Sequence, residues 1–528
     1  MIVKKKSTWL KNRGYLHVTN QLDVLSKKSE ILGKVRNFDF VSKHDFFPLL
    51  HTVILERRYK KAKNGDNATR AHSHDGKSTV KKRPLHYATH IDSMIFGYYA
   101  ELLQKKWLKA LENIEGLSDC VTAYRRIPDP ERSGKYKSTI HFANEVFKEV
   151  GLRAVEGCAV LKFDIESFFS SIDHKELKEA WRLLLQLPTL PADHFNVYRA
   201  ATRFSYINRD DLRLGERSCG PRQGFDEKKL ANIRKQNVVA FFSSPAEMRA
   251  CIKQGLLRIH KNSFKNLLGE TVGIPQGLPI SAVLANLYLM KADTAIFDQL
   301  VNGLDGYYRR YSDDIIVICR PDQKETVKNL VEKCLIDSKV VVSIPKTEEF
   351  YFGQQADFDG NQETFCYRVE ENIMKKGHPL TYLGFEYYGD KILIKSANVA
   401  KFYRRMVMAI KSRTKRAFAA VGKTPDNSGS LFKRRLYRLY TNINLDKTYR
   451  KRNYKWLEPN RYGDFVYHTQ EKPQDFRSNY FSYARRAAKT MDDKHIIRQL
   501  RRHRILFNQV VVYQRHRMIV KKRDGKVW

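Results

Sequence analysis

Apolar positions follow two periods along this chain. Over residues 91–114, "IDSMIFGYYAELLQKKWLKALENI", they recur every three or four residues, which predicts a long helix. Val399, Phe402, Met406 and Ile410 repeat the spacing with basic residues between them, so the chain after 396 reads as helical. A helix is also expected through "FFPLLHTVILERRYKKA". "AVLKFDIESFF", from Ala159, reads as a short apolar strand that runs into an acid, then a turn and a helix. "GIPQGLPISAVLANLYLMKADTAI" is a Gly/Pro loop opening an apolar helix at 273–286. "RRYSDDIIVIC", residues 309–319, predicts a hairpin, with strands at Tyr307–Tyr311 and Ile315–Cys319. A helix near 323–336, a strand in "KVVVSI", and short strands in "FCYRVEEN", "LTYLGFEYY" and "KILIKS" follow. Residues 63–82 and 208–236 are polar and interrupt the pattern, the first as a loop and the second as an insertion. No internal repeat is visible.

At 528 residues the chain has room for two to four domains. No run of about 18 apolar residues occurs, so no membrane helix is expected, and the first residues lack the apolar core of a signal peptide. The seven cysteines form no CxxC pair, which speaks against a zinc ribbon or disulfide framework and fits a reducing cytoplasm. Charge changes the picture more. The net charge is +40, and residues 401–528 hold 34 basic and nine acidic residues, or +25 of it. Tyr437, Tyr440, Trp456, Tyr480 and Phe481 are interleaved with those cations. Cations neutralise phosphates and aromatic rings stack on unpaired bases, so a nucleic-acid partner is expected, with the tail supplying much of the grip.

Asp313 and Asp314 stand side by side against an apolar strand. A turn alone would explain Ser and Asp here. Two adjacent like charges at the edge of a buried sheet nevertheless disfavour folding unless a cation neutralises them. A second strand ends in Asp164. Carboxylates from two strands, brought together, suit a pair of Mg²⁺ ions about 3.5–4 Å apart, the arrangement that drives in-line phosphoryl transfer.

"FDIESFFSSIDH", "GIPQGLPISAVLANLYL", "YSDD", "SIPKTEEF" and "TYLGFEYY" resemble, in this order, motifs A to E of reverse transcriptases. "RPLHYATHIDSMIFGYYAEL" and "TAYRRIPDPERSGKYKSTIHFANEVF" resemble the fingers motifs that precede them. The motifs span roughly residues 80–395. The resemblance implies an α+β right-hand polymerase. Fingers and palm would occupy residues 1–395, and a basic, mainly helical thumb and C-terminal nucleic-acid-binding region 396–528. It implies an RNA-directed DNA polymerase with Asp164, Asp313 and Asp314 as catalytic, metal-holding carboxylates and Ile165 lending a backbone carbonyl. Two Mg²⁺ ions are the implied cofactor, with Mn²⁺ as the alternative. Arg125, Arg126 and Lys135 (or Lys137) fall where the triphosphate is gripped. Phe169 stands where an aromatic ring gates against the ribose 2′-OH, and Phe168 should point the other way on a strand. Gln276 and Gly277 match the loop against the incoming nucleotide, Lys346 the lysine facing pyrophosphate, and Leu383 and Gly384 the primer grip.

"PQGLPIS", "YSDD" and "AYRRIP" are most similar to bacterial defence-associated reverse transcriptases, the once-unknown group that includes abortive-infection enzymes. Within it the type nine class, which pairs with a non-coding RNA, is preferred. This implies a cytoplasmic enzyme in antiphage defence. Its partners would be dNTPs, a cognate RNA template and the DNA product, with homo-oligomers left open and no membrane. Retron-like or maturase-like enzymes, template-independent or protein-primed synthesis, and a non-catalytic RNA binder are the alternatives. The 112 residues from Asp164 to Gln276 are long for the family, and the 208–236 insertion accounts for part of that.

Overall fold

A computed structural model describes residues 9–56, 80–213, 224–343, 346–356, 360, 362–370, 373–420, 431, 433–442 and 479–523, and by backbone alone the short strands within 60–78 and a hairpin within 449–474. The elements used below are, in chain order, β1 (Leu49–Glu56), β2 (Lys81–Tyr87), α1 (His90–Glu112), α2 (Thr139–Arg153), β3 (Cys158–Asp164), α3 (Phe168–Ser171), α4 (His174–Leu185), α5 (Ala192–Thr202), β4 (Ser205–Asn208) and β5 (His260–Lys261). Then come α6 (Ser281–Tyr288), α7 (Met290–Ile296), β6 (Tyr307–Tyr311), β7 (Asp314–Cys319), α8 (Lys324–Ile336), β8 (Glu348–Ala356), β9 (Gln362–Glu370) and β10 (Ile373–Lys376). The last group is β11 (Leu380–Tyr382), β12 (Phe385–Tyr387), β13 (Ile392–Ile394), α9 (Ser396–Ala420), α10 (Arg434–Tyr440), β14 (Tyr449–Pro459), β15 (Phe465–Gln474), α11 (Tyr480–Thr490) and α12 (His503–Arg523).

Internal contacts divide the chain into two units, Met1–Arg125 with Leu161–Thr347, and Arg126–Val160 with Glu348–Trp528. The strands from β8 to β13 share a unit with the helices that follow them.

In the first unit a four-stranded sheet runs β2-β1-β4-β5. β1 pairs antiparallel with β2 (Leu50 opposite Tyr87) and parallel with β4 (Leu49 opposite Tyr206). The helix expected here is therefore a strand. Thr52, Val53 and Ile54 are β-branched and suit extended backbone, and the pairing partner lies about thirty residues on. Leu50 joins Val18, Ile207, Leu230 and Phe242 in one core. α1 forms where the period predicted it and buries Phe96, Leu103, Trp107 and Leu111. β6, β7 and β3 lie side by side in a second sheet. The loop at 273 does not open directly into helix, because α6 begins only at Ser281. "KVVVSI" forms no strand: among the described residues only Val342 bridges, to Ile165.

In the second unit β8-β9-β10 and β11-β12-β13 form antiparallel sheets. Phe147 of α2 stacks on Tyr387 at 4.9 Å. Met406 and Ile410 of α9 pack with Leu436, Phe507 and Val511, as their spacing predicted. The tail is no appendage. Ile392 N donates to Asp493 at 2.5 Å, and the Gln499 amide exchanges two bonds with Ile394, standing in for a neighbouring strand. The hairpin β14–β15 adds strand to a region expected to be mainly helical. Much of the 63–82 loop and residues 214–223 of the 208–236 insertion lie outside the described residues; within the loop, Ser73–His74 pairs with Lys77–Ser78, and Lys81 and Lys82 belong to β2. Among the described residues no helix is long and apolar enough to cross a membrane.

Candidate active site

β6 and β7 are in register from Tyr307–Ile318 to Tyr311–Asp314, so Ser312 and Asp313 form the turn. Asp164 ends the neighbouring β3. Ile165 N donates to the Asp313 carbonyl at 3.3 Å, which ties the strand end to the hairpin tip. Asp164, Asp313 and Asp314 are thus brought to one edge of one sheet. Beyond the strand, Ser343 N donates to Asp164 O and Glu166 N to Val341 O, at 2.8 and 2.9 Å. Neither bond uses the Ile165 carbonyl.

The carboxylates are not closed into a cage. Among the described residues no three acidic, histidine or cysteine side chains gather closely enough to hold a metal. Instead the Lys346 ammonium pairs directly with Asp164 Oδ2. A lysine there supplies the countercharge that adjacent carboxylates need. The donor set of carboxylate oxygens and a backbone carbonyl suits a hard divalent cation.

The hairpin tip is held from behind. Ser312 has φ +61°, a left-handed conformation uncommon for residues other than glycine. Its carbonyl accepts from Arg310 Nη1 at 3.1 Å, and its hydroxyl bonds the Tyr124 hydroxyl at 3.0 Å. Arg310 is fully buried. Its Nε and Nη2 each donate to Asp293 of α7 at 2.6 Å, and Nη1 also reaches Asn286 Oδ1 at 3.2 Å. Burial favours loss of the guanidinium charge, but Asp293 outweighs it and raises the pKa. The Tyr308 hydroxyl donates to Asp293 at 2.6 Å, and burial together with that carboxylate pushes its pKa well up. The sequence reading missed this network. The signal was strand alternation, which turns Tyr308 and Arg310 inward.

Phe168 and Phe169 lie on the one-turn helix α3, not on a strand. The expected contrast survives: Phe168 is buried and Phe169 half-buried. The Phe169 carbonyl accepts from Ile274 N at 2.7 Å, joining α3 to the loop that holds Gln276 and Gly277. There the Gln276 carbonyl accepts from His86 N at 2.7 Å. His86 is neutral, its pKa lowered to about 3 by burial and then by His51. Gly277 has φ +116°, and a Cβ there would run into the His86 carbonyl oxygen. Gly277→Ala is therefore expected to displace the loop, lowering primer extension at least tenfold through KM for the nucleotide. Steady-state kinetics reads this directly, and an unchanged KM would remove Gly277 from the site.

Arg125 is tied to its own loop. Its Nη1 donates to the Ser118 and Val121 carbonyls and its guanidinium lies over Trp107, while burial lowers its pKa. Arg126 and Lys135 are exposed in the second unit, on a hairpin closed by the Pro128–Tyr136 bridge, with Arg126 over the Tyr136 ring. Lys137 is neutralised by Glu145 at 2.6 Å. In the same unit Leu383 and Gly384, both with positive φ, form the tight turn between β11 and β12, as two-residue hairpin turns require.

No curated protein matches the chain. Among solved structures, apo telomerase from Candida tropicalis, truncated from its C-terminal domain, aligns at 12% identity over 70% of this chain and 60% of that one, with a TM-score of 0.34. Telomerase from Candida albicans with a fragment of telomeric RNA aligns at 10% identity, 73% and 52% coverage, and 0.33. The chain spans little more than half the length of these proteins, and at such scores the likeness carries no argument. The sequence pattern described as "Reverse transcriptase (RNA-dependent DNA polymerase)" matches residues 222–387. That span includes Gln276, Gly277, Asp313, Asp314, Lys346, Leu383 and Gly384, and the sheet adds Asp164 from outside it. Residues 222–387 of this α+β chain thus carry a reverse transcriptase domain.

Proposed function

We propose that the chain copies an RNA template into DNA, using Asp164, Asp313 and Asp314 to hold two Mg²⁺ ions. The observation that carries this is the junction of β3 with the β6–β7 turn through Ile165 and Asp313. Bound there, the ions would stabilise the charge that develops on the attacking and leaving oxygens. The chain's own residues do the rest. Lys346, paired with Asp164, would be freed if cations bound the carboxylate, and its ammonium could then donate a proton to the leaving pyrophosphate. The loop at Gln276 and Gly277, fixed by His86, positions the incoming base and sugar. Primer extension on an RNA template with dNTPs tests the reading, and no incorporation by the intact chain with either Mg²⁺ or Mn²⁺ would end it.

The motif text supports a role in bacterial antiphage defence, in the cytoplasm, with a cognate non-coding RNA as template. Sequencing DNA recovered from cells that carry the gene tests this, since a product complementary to one structured RNA is the expected result.

Sugar choice gives a sharper test. A ring at Phe169 beneath the incoming sugar leaves no room for a 2′-OH, so a ribonucleotide must shift its reactive phosphate. A shift of about 1 Å can cost about a hundredfold in rate. Phe169→Ala should raise rNTP use without a matching gain for dNTPs. Phe168→Ala should cost roughly 3–5 kcal/mol of stability and leave the preference unchanged. Single-nucleotide incorporation with matched dNTP and rNTP reads both, and the opposite pattern would move the gate.

A further inference from the structure

Outside the carboxylate edge, the first unit contains a basic groove. A cavity of about 970 Å³ opens between α4, α5 and the segment 261–272. A second, of about 410 Å³, adjoins it along α4 and shares Lys175, Lys178 and Phe195. Together they exceed the roughly 300–1,000 Å³ of a single small-molecule site.

Two helical rows face this space. On α4, Leu177, Trp181 and Leu185 turn into the core, while Lys175, Lys178 and Arg182 line the groove. On α5 and just past it, Phe195, Arg199 and Arg203 recur every four residues. The carboxylates along the groove are engaged: Asp173 caps Glu176 N and pairs with Lys339, Glu179 binds Arg182, and Glu270 accepts from Asn266 and faces Lys175. Among the described residues this leaves Lys178, Arg199, Arg203, Lys261 and Lys265 without a carboxylate partner, and all five are exposed. The Phe195 ring is 40% exposed where the cavities meet, with the Lys178 ammonium 5.4 Å from its centre.

Cations in rows suit successive phosphates, and an exposed ring offers a face to a base. A duplex hides its base faces, whereas an unpaired strand presents them. We propose that this groove holds a single, unpaired nucleic-acid strand, its phosphates along the two cation rows and a base on Phe195. The groove shares a wall with the site already described. His174 Nε2 bonds the Gly273 carbonyl at 2.8 Å, and Gly273 N donates to Ile172 O at 2.7 Å, just ahead of the Gln276–Gly277 loop. The inference extends the polymerase reading, because a templated enzyme must hold an unpaired strand.

The test omits nucleotide and metal, so its failure leaves the carboxylate chemistry untouched. A 12-nucleotide 4-thiouridine strand is photo-crosslinked to the full chain and the adduct mapped. Affinities of oligo-rU, oligo-dT and duplex are measured across a salt series. Cross-links are expected within residues 192–205 or 261–272. Arg199→Gln/Arg203→Gln/Lys261→Gln should cut them at least tenfold and lower the slope of log affinity against log salt by about 2, at about 0.7 per phosphate. Phe195→Ala should weaken cross-linking without changing the slope. Equal binding of rU and dT supports the phosphodiester chemistry itself, a preference for rU identifies template RNA as the source, and one for dT identifies the DNA product. Cross-links only elsewhere, a slope unmoved by the triple change, or duplex binding as tight as single strand overturns the proposal.

Discussion

Asp313→Ala/Asp314→Ala is expected to abolish dNTP incorporation while leaving the fold at least as stable as before. The first half follows from the proposed chemistry. Metal-held charge stabilisation is worth several kcal/mol, and each 1.36 kcal/mol is about tenfold in rate, so a drop of at least about a thousandfold is expected. The second half follows from electrostatics. These carboxylates share a sheet edge with Asp164, whose countercharge is Lys346, so removing them relieves repulsion. Thermal unfolding should therefore hold or rise in the double variant. Mg²⁺ should raise the unfolding temperature of the unmodified chain by mass action and leave the variant unmoved. Extension at the unmodified rate would end the metal-centred reading. Lost activity with collapsed stability would mean that the two residues serve the hairpin instead.

What the sequence made legible follows from period and register. The hairpin of Asp313 and Asp314 could be read because strand alternation and turn residues agree locally. Asp164 could be placed beside it because an apolar strand ending in an acid has few other destinations. β1 could not be read in the same way. Its apolar run is short, only its first residues are deeply buried, and its extended state depends on β2 and β4. β14 and β15 likewise arise from pairing with each other, within a region read as mainly helical. Arg125 shows a different limit. An arginine in a basic stretch looks like a phosphate ligand, and nothing in the sequence showed that its Nη1 would bind the Ser118 and Val121 carbonyls. The groove of α4 and α5 was invisible because its cations come from segments nearly ninety residues apart.

Arg310 lies on the first strand of the hairpin, and its burial gives it a role beyond strand pairing. Arg310→Met should cost about 3–5 kcal/mol, because it strands the Asp293 carboxylate in a dry interior. Asp293→Leu alone should cost a similar amount by stranding the guanidinium. Removing both charges together should recover much of the loss, as replacing a buried pair with apolar groups often does. Activity should not recover with it. The double variant still lacks the donor to the Ser312 carbonyl, and a turn held at φ +61° loses one of the two bonds that fix it, keeping only the Tyr124 hydroxyl. The Asp313 and Asp314 carboxylates then sample positions away from Asp164, and a misplacement of about 1 Å is enough to lower the rate about a hundredfold. Denaturant midpoints and single-turnover extension rates of the two single variants and the double give both answers. Stability regained with activity still low makes Arg310 the residue that positions the catalytic turn. Recovery of both would reduce the network to a stabiliser of the sheet.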